Sequence, residues 1–219
     1  MIQIWNWLHL LNNLNIESFE LYTNNPKLVL GFHGCDESIA KSLLSEKPTF
    51  KQSKNHYDWL GNGMYFWEND PIRAWEYVNE AKLRNPDKYP NPTVIGAVLD
   101  LGHCLNLSEN HYKKLLKDAY LRFEKFAIET GAEMPKNKEA YSGDHDKLLR
   151  PLDRAVIEFL HATNTSEQQF DSVRGMFVEG EELYKGAGFH EKTHVQIAIR
   201  NPIMIKGYFR IITEHQEIK

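Results

Sequence analysis

The run Thr93-Val94-Ile95-Gly96-Ala97-Val98-Leu99 is apolar without interruption. A strand with one face in water alternates apolar and polar residues, because successive side chains point to opposite sides. A run with no polar positions is best read as a strand covered on both faces. The rest of the chain must then supply neighbouring strands and the layers that cover them.

Those elements can be read off in order. Leu28-Val29-Leu30-Gly31-Phe32-His33 is a strand ending at Gly34, with Leu28, Leu30 and Phe32 on one face and Val29, Gly31 and His33 on the other. Asp36 can cap a helix whose Ile39, Leu43 and Leu44 form the buried stripe. Residues 46–63, with Pro48, Gly61 and Gly63 among polar residues, form a long loop, and Gly63-Met64-Tyr65-Phe66-Trp67 is a short strand. Asn69-Asp70-Pro71 opens a helix. Asp70 is a good N-cap, and Pro71 suits the first helical position, where its missing N–H has no partner to lose. Ala74, Trp75, Tyr77, Val78 and Ala81 lie on that helix, which ends near Asn85-Pro86.

After the apolar run the pattern turns helical. Leu115, Leu116, Ala119, Phe123 and Ala127 mark one amphipathic helix, and Leu152, Val156, Phe159 and Leu160 another, with Pro151 in its first turn. The tail returns to strands at Val173–Val178, His194–Ile199 and Ile205–Ile211, the first two separated by a glycine-containing loop from Glu179 to Gly188. Strands, a helical insertion over 108–172, then strands again predict an α+β domain with a mostly antiparallel core. The whole chain, 1–219, reads as one domain. Its first 27 residues form an N-terminal docking segment with a short helix carrying Ile4, Trp5, Leu8, Leu10 and Leu11.

Composition narrows the function. A net charge of −4 and a pI near 6.2 provide no global basic field for nucleic acid. Lys113, Lys114, Lys117, Arg122 and Lys125 are broken up by Asp118 and Glu124, the pattern of a solvated helix face. Two cysteines, Cys35 and Cys104, make no disulfide framework, and with His33 and His103 they match no zinc spacing, so no metal is expected. The apolar N-terminal stretch is too short to span a bilayer and has no basic leader, which points to a cytoplasmic protein with no membrane contact. The Gly180–Gly188 loop has neither the spacing nor the following helix of a phosphate-binding loop.

Two phrases carry the chemistry. Gly31-Phe32-His33-Gly34 resembles the His-Gly motif of the diphtheria-toxin and poly(ADP-ribose)-polymerase branch of the ADP-ribosyltransferases. Gly61-Asn62-Gly63-Met64-Tyr65-Phe66 resembles that branch's second motif, a glycine-flanked Tyr-Phe strand. The branch's third motif places a Glu at the start of a late strand. Here the matching stretch is Thr193–Ile199, with Gln196 in the acid's position. The likeness covers residues 28–100 and 173–211, and leaves out the N-terminus and the helical insertion.

The resemblance implies an ADP-ribosyltransferase-like split antiparallel sheet and NAD as co-substrate. It also implies an acceptor that is a protein or a nucleic acid. The company of such small domains suggests a bacterial toxin or anti-phage effector, with an antitoxin or inhibitor protein as a further partner. Tyr65 would stack on the nicotinamide ring, and Gly34, with no Cβ, would bring its backbone to the carboxamide. His33 would reach a ribose hydroxyl of the adenosine half, and Trp75 or Tyr77 would close the ring's other side. Glycosidic cleavage leaves positive charge on the sugar, and Gln196 would hold the 2′-hydroxyl in a reactive pose. An amide takes no proton, so His194, on the same strand face, or Glu179, Glu181 and Glu182 of the preceding loop stand next as the base. Two other readings share the sequence. One is a catalytically inactive module that binds NAD, ADP-ribose or a protein partner. The other is RNA 2′-phosphotransfer, which would call for an arginine cluster near these strands.

Overall fold

The computed structural model describes residues 28–49, 51–55, 58–139, 149–165 and 169–212. The expected docking helix at residues 3–13 lies outside them. The described residues form an α+β unit with seven strands and four α-helices. In chain order these are β1 (Leu28–Asp36), α1 (Glu37–Leu43), β2 (Met64–Glu68), α2 (Pro71–Arg84), β3 (Pro92–Asp100) and β4 (Cys104–Asn106). They continue with α3 (Asn110–Thr130), α4 (Pro151–Thr163), β5 (Ser172–Phe177), β6 (His194–Ile199) and β7 (Ile205–Arg210).

The strands make one mixed sheet in the order β4-β5-β6-β2-β1-β3-β7. The apolar run is β3, paired on one side with β1 along nine positions and on the other with β7. One sheet face packs Phe66, Ile95, Leu99, Ile197 and Ile199 against Ala40 and Leu43 of α1. The opposite face is covered in two parts. Over β1 and β2, Phe32 and Trp67 meet Ala74 of α2. Over β4, β5 and β6, Leu105, Val173, Phe177 and Ala198 meet Ala119 of α3 and Val156, Ile157 and Leu160 of α4.

The helical insertion is thus a structural layer rather than an appendage. β4 and β5 are parallel neighbours, and parallel neighbours need a long crossover connection. Helices α3 and α4 supply that crossover and cover the sheet half that it spans. β4 escaped the sequence pattern because three residues are too few to show a period.

Two further expectations change. β1 runs through Gly34 to Asp36, held by the β3 ladder as far as Asp36↔Pro92. Ile39, expected in the buried stripe of α1, is 45% exposed, because Ala40 and Leu43 take the core-facing positions. The caps hold as read: Asp36 accepts from the Ser38 N–H at 3.0 Å, and Asp70 from the Arg73 N–H at 2.8 Å. Asp70→Ala should therefore lower stability by about 1 kcal/mol in urea unfolding. An unchanged midpoint would mean that this cap adds nothing.

Candidate active site

The central ladder parts between β1 and β2. These strands pair only at Gly31↔Glu68 and Phe32↔Trp67, and the Asn69 N–H donates to the Leu30 carbonyl at 2.9 Å. Hydrogen-bonded pairs recur every second residue, so Leu30/Asn69 and Phe32/Trp67 would be followed by Gly34/Tyr65. That bond is replaced. The Tyr65 carbonyl instead takes a 2.7 Å hydrogen bond from Nδ1 of His33. Gly34's N–H and C=O, which alternation turns toward β2, lie beyond the last paired position.

Each residue at the parting has a local reason. A Cβ on Gly34 would stand 2.3 Å from the Ala74 carbonyl oxygen and 3.0 Å from Cβ of Val78, so glycine lets α2 close onto β1. His33 packs on Phe66, with ring centroids 5.8 Å apart. A carbonyl only accepts, so Nδ1 of His33 carries the hydrogen and Nε2 keeps a lone pair. Burial lowers the His33 pKa below its usual 6.5, despite the opposing bond to Tyr65, and keeps the imidazole neutral at pH 7.

Tyr65 and Gln196 lie on the sheet face opposite His33's. The Tyr65 hydroxyl donates to the Gly61 carbonyl at 2.7 Å and accepts from the Leu60 N–H at 2.9 Å. Burial raises its pKa well above 10, so the phenol stays protonated. Across the β2–β6 ladder Tyr65 faces Ala198 and Trp67 faces Gln196, so Gln196 is the diagonal neighbour of Tyr65 at about 7–8 Å. Gln196 is 7% exposed, and its amide has no hydrogen-bond partner among the described residues. An amide without a protein partner is available to water or to a ligand.

Beside Gln196 stands a cluster that only partly follows from the sequence. Trp67 packs on Tyr77 at 4.9 Å between ring centroids, whereas Trp75 is 48% exposed. Of the two candidate rings, Tyr77 is therefore the one brought to the sheet. His194 donates from Nδ1 to the Lys192 carbonyl at 2.6 Å, and its ring lies 6.2 Å from both Trp59 and Trp67. Among the described residues its Nε2 is buried without a hydrogen-bond partner. Burial lowers the His194 pKa, and neighbouring Arg73 adds to that shift against the opposing pull of Glu179 and Asp70.

Glu179 joins this cluster, accepting from Arg73 at 2.9 Å and standing 3.9 Å from Nδ1 of His194. Glu181 and Glu182 do not join it. Both are exposed, and Glu182 instead accepts from the Gly186 N–H at 2.7 Å. Arg73 is buried, with Nε and Nη1 lacking hydrogen-bond partners among the described residues. Sequence reasoning missed Trp67 and Arg73. The available signal was helical phase, since Arg73 lies in one row with Tyr77 and Ala81.

Residues 179–192 fold back as an arm. The Lys192 N–H donates to the Glu179 carbonyl at 2.9 Å, that of Glu191 to Glu181 at 3.0 Å, and that of Leu183 to Phe189 at 2.9 Å. Its tip exposes Leu183, Tyr184 and Phe189. Among the described residues no group of three or more His, Cys, Asp or Glu is placed to hold a metal ion. No described helix is long and apolar enough to cross a membrane. Burial pushes the thiols of Cys35 and Cys104 up to about 12 and about 11, so neither is a ready nucleophile.

Comparison with known proteins adds one relative. The chain is 23% identical over 198 residues to an uncharacterized protein of Methanocaldococcus jannaschii, MJ0359, a match covering 80% of this chain and 83% of that one. No family model matches, and no solved structure matches.

Proposed function

We propose that the chain transfers ADP-ribose from NAD to a macromolecular acceptor. The observation that carries this reading is the parting of β1 and β2. There His33 takes the carbonyl that a continuing ladder would give to Gly34, and Gly34 is left with a backbone donor and acceptor side by side. A carboxamide needs that pair of partners. Tyr65 lies on the strand across the parting, with Gln196 diagonal to it on β6.

Under this reading the nicotinamide amide binds the Gly34 backbone and its ring stacks on Tyr65, with Tyr77 the better placed of the two candidate rings on α2. The neutral His33 offers Nε2 as acceptor to a ribose hydroxyl. The bond from C1′ of the ribose to the nicotinamide nitrogen breaks, and its electron pair leaves with neutral nicotinamide. The acceptor attacks C1′, with Gln196 holding the 2′-hydroxyl as positive charge develops. The acceptor's proton goes to a group other than Gln196. His194, neutral with a free lone pair on Nε2, is the first candidate, because Glu179 is already engaged by Arg73. The arm with Leu183, Tyr184 and Phe189 at its tip is the surface that meets the acceptor.

Purified protein incubated with labelled NAD and cell lysate tests the reading. Release of nicotinamide and label on a macromolecule are expected, and Tyr65→Ala should cut both at least tenfold through loss of the stacking face. Binding of NAD without turnover would favour the inactive binding module. Undiminished transfer by Tyr65→Ala would place the pocket elsewhere.

A further inference from the structure

Glu158 lies on α4, outside every motif, yet its carboxylate holds the loop that leads into Tyr65. Oε1 accepts from the Asn62 N–H at 2.7 Å and from Nη1 of Arg200 at 2.6 Å. Oε2 accepts from Nδ2 of Asn62 at 2.7 Å and from Nη2 of Arg200 at 3.4 Å. Two more bonds complete the set around Asn62: its carbonyl accepts from Nη1 of Arg200 at 2.9 Å, and its Oδ1 from Nη2 of Arg154 at 2.8 Å. Each backbone and side-chain polar group of Asn62 is thus taken by α4 or by Arg200. Arg154 keeps a buried Nε without a hydrogen-bond partner among the described residues, but with every polar group of Asn62 held, the loop at Asn62 is fixed.

The network ends at the ring. Gly61 stands at φ +80°, and a Cβ there would come within 2.5 Å of Oε1 of Glu158, so the loop is pressed against the carboxylate. The Gly61 carbonyl and the Leu60 N–H are the groups that hold the Tyr65 hydroxyl. Arg200 follows directly after β6, four residues beyond Gln196. One carboxylate therefore ties together the helical layer, the Tyr65 loop and the end of the Gln196 strand.

We propose that Glu158 is a positioning residue for the nucleotide site: through Asn62 and the 60–61 loop, α4 fixes the Tyr65 ring in its stacking pose. This rests on the NAD reading above, and it makes the helical layer part of the working unit. Burial alone would raise the Glu158 pKa, but the Arg200 and Asn62 donors outweigh it and hold the carboxyl below 4.5. The network accordingly stays charged throughout the physiological range.

The test compares wild type with Glu158→Gln, Glu158→Ala and Asn62→Ala in steady-state NAD turnover and in amide exchange of Leu60 and Asn62. Glu158→Ala should raise KM for NAD about tenfold with kcat changed less than about threefold, and the Leu60 amide should lose protection. Glu158→Gln, which keeps the shape and some acceptors, should fall between. If Glu158→Ala does not fold, Asn62→Ala carries the same expectation with α4 intact. Loss of Leu60 protection with an unchanged KM overturns the proposal, leaving Glu158 a purely structural residue. Full Leu60 protection overturns it too, because the loop would then not depend on α4. A wild type that neither binds nor consumes NAD defeats the NAD reading and the positioning role with it, and the exchange arm then shows whether α4 still governs the loop.

Discussion

Gln196→Ala should lower kcat for ADP-ribose transfer about 10²–10³-fold while leaving NAD affinity within a few-fold of wild type. The split follows from the division of the site. On the proposed reading affinity would come from the Gly34 backbone, the Tyr65 face and Nε2 of His33, which lie on β1 and β2 and keep their supports in the variant. Gln196 lies on β6, diagonal to Tyr65, with no hydrogen-bond partner for its amide among the described residues, so on the proposed reading its hydrogen bonds would go to the sugar. Steady-state turnover with labelled NAD, beside a binding titration followed by tryptophan fluorescence, measures both quantities. Gln196→Glu is the informative companion. A carboxylate there both orients the 2′-hydroxyl and can take a proton, so transfer should persist and acquire an acid limb as the carboxyl protonates. If Gln196→Ala turns over normally, the residue is a buried sheet amide. The chemistry then shifts toward His194, whose replacement by asparagine becomes the deciding variant.

What the sequence disclosed of this arrangement was local. Asp36, Asp70 and Pro71 announced their helix starts because a cap is decided by three or four consecutive residues. The strands that begin at 28, 64, 92, 172, 194 and 205 were legible, to within a residue or so, from apolar runs of ordinary length. The candidate site was legible as far as single strands carry it: His33 with Gly34, Tyr65, and Gln196 with His194 on one face. Long-range features left no local trace. Nothing near Glu158 signals that it will hold Asn62, 96 positions away, or that Arg174 will pair with Glu68, 106 positions away. Replacement of a ladder bond by a His33 side chain depends on the meeting of two strands, and neither strand alone encodes it. The crossover role of α3 and α4 was equally hidden, because it depends on the three-residue β4 lying parallel to β5.

Stability should fall steadily as the pH drops from 7 to 4, by several kcal/mol in total, and the cause is histidine before carboxylate. His33, His161 and His194 each donate from Nδ1 to a backbone carbonyl, of Tyr65, Ile157 and Lys192 respectively. Burial lowers all three pKa values, that of His161 to about 4 from 6.5. Below pH 6.5 the unfolded chain takes up protons that the folded imidazoles refuse, so stability is full above 6.5 and declines toward the folded pKa. For His161, which is 5% exposed, a drop from 6.5 to about 4 corresponds to a loss on the order of 3 kcal/mol. Asp36 and Glu158 add a second stage. Their folded pKa values are depressed, so their contributions are complete above the unfolded values of 3.8 and 4.5 and vanish as the pH falls through the lowered ones. Urea midpoints at pH 7.5, 6, 5 and 4 trace the first stage, and points continued down to about pH 2 trace the second. His161→Gln should flatten the first stage more than any surface histidine would, because Gln cannot titrate. A midpoint constant from pH 7 to 5 would mean that these imidazoles protonate freely in the folded state, and the neutral His33 needed at the parting would be lost with that result.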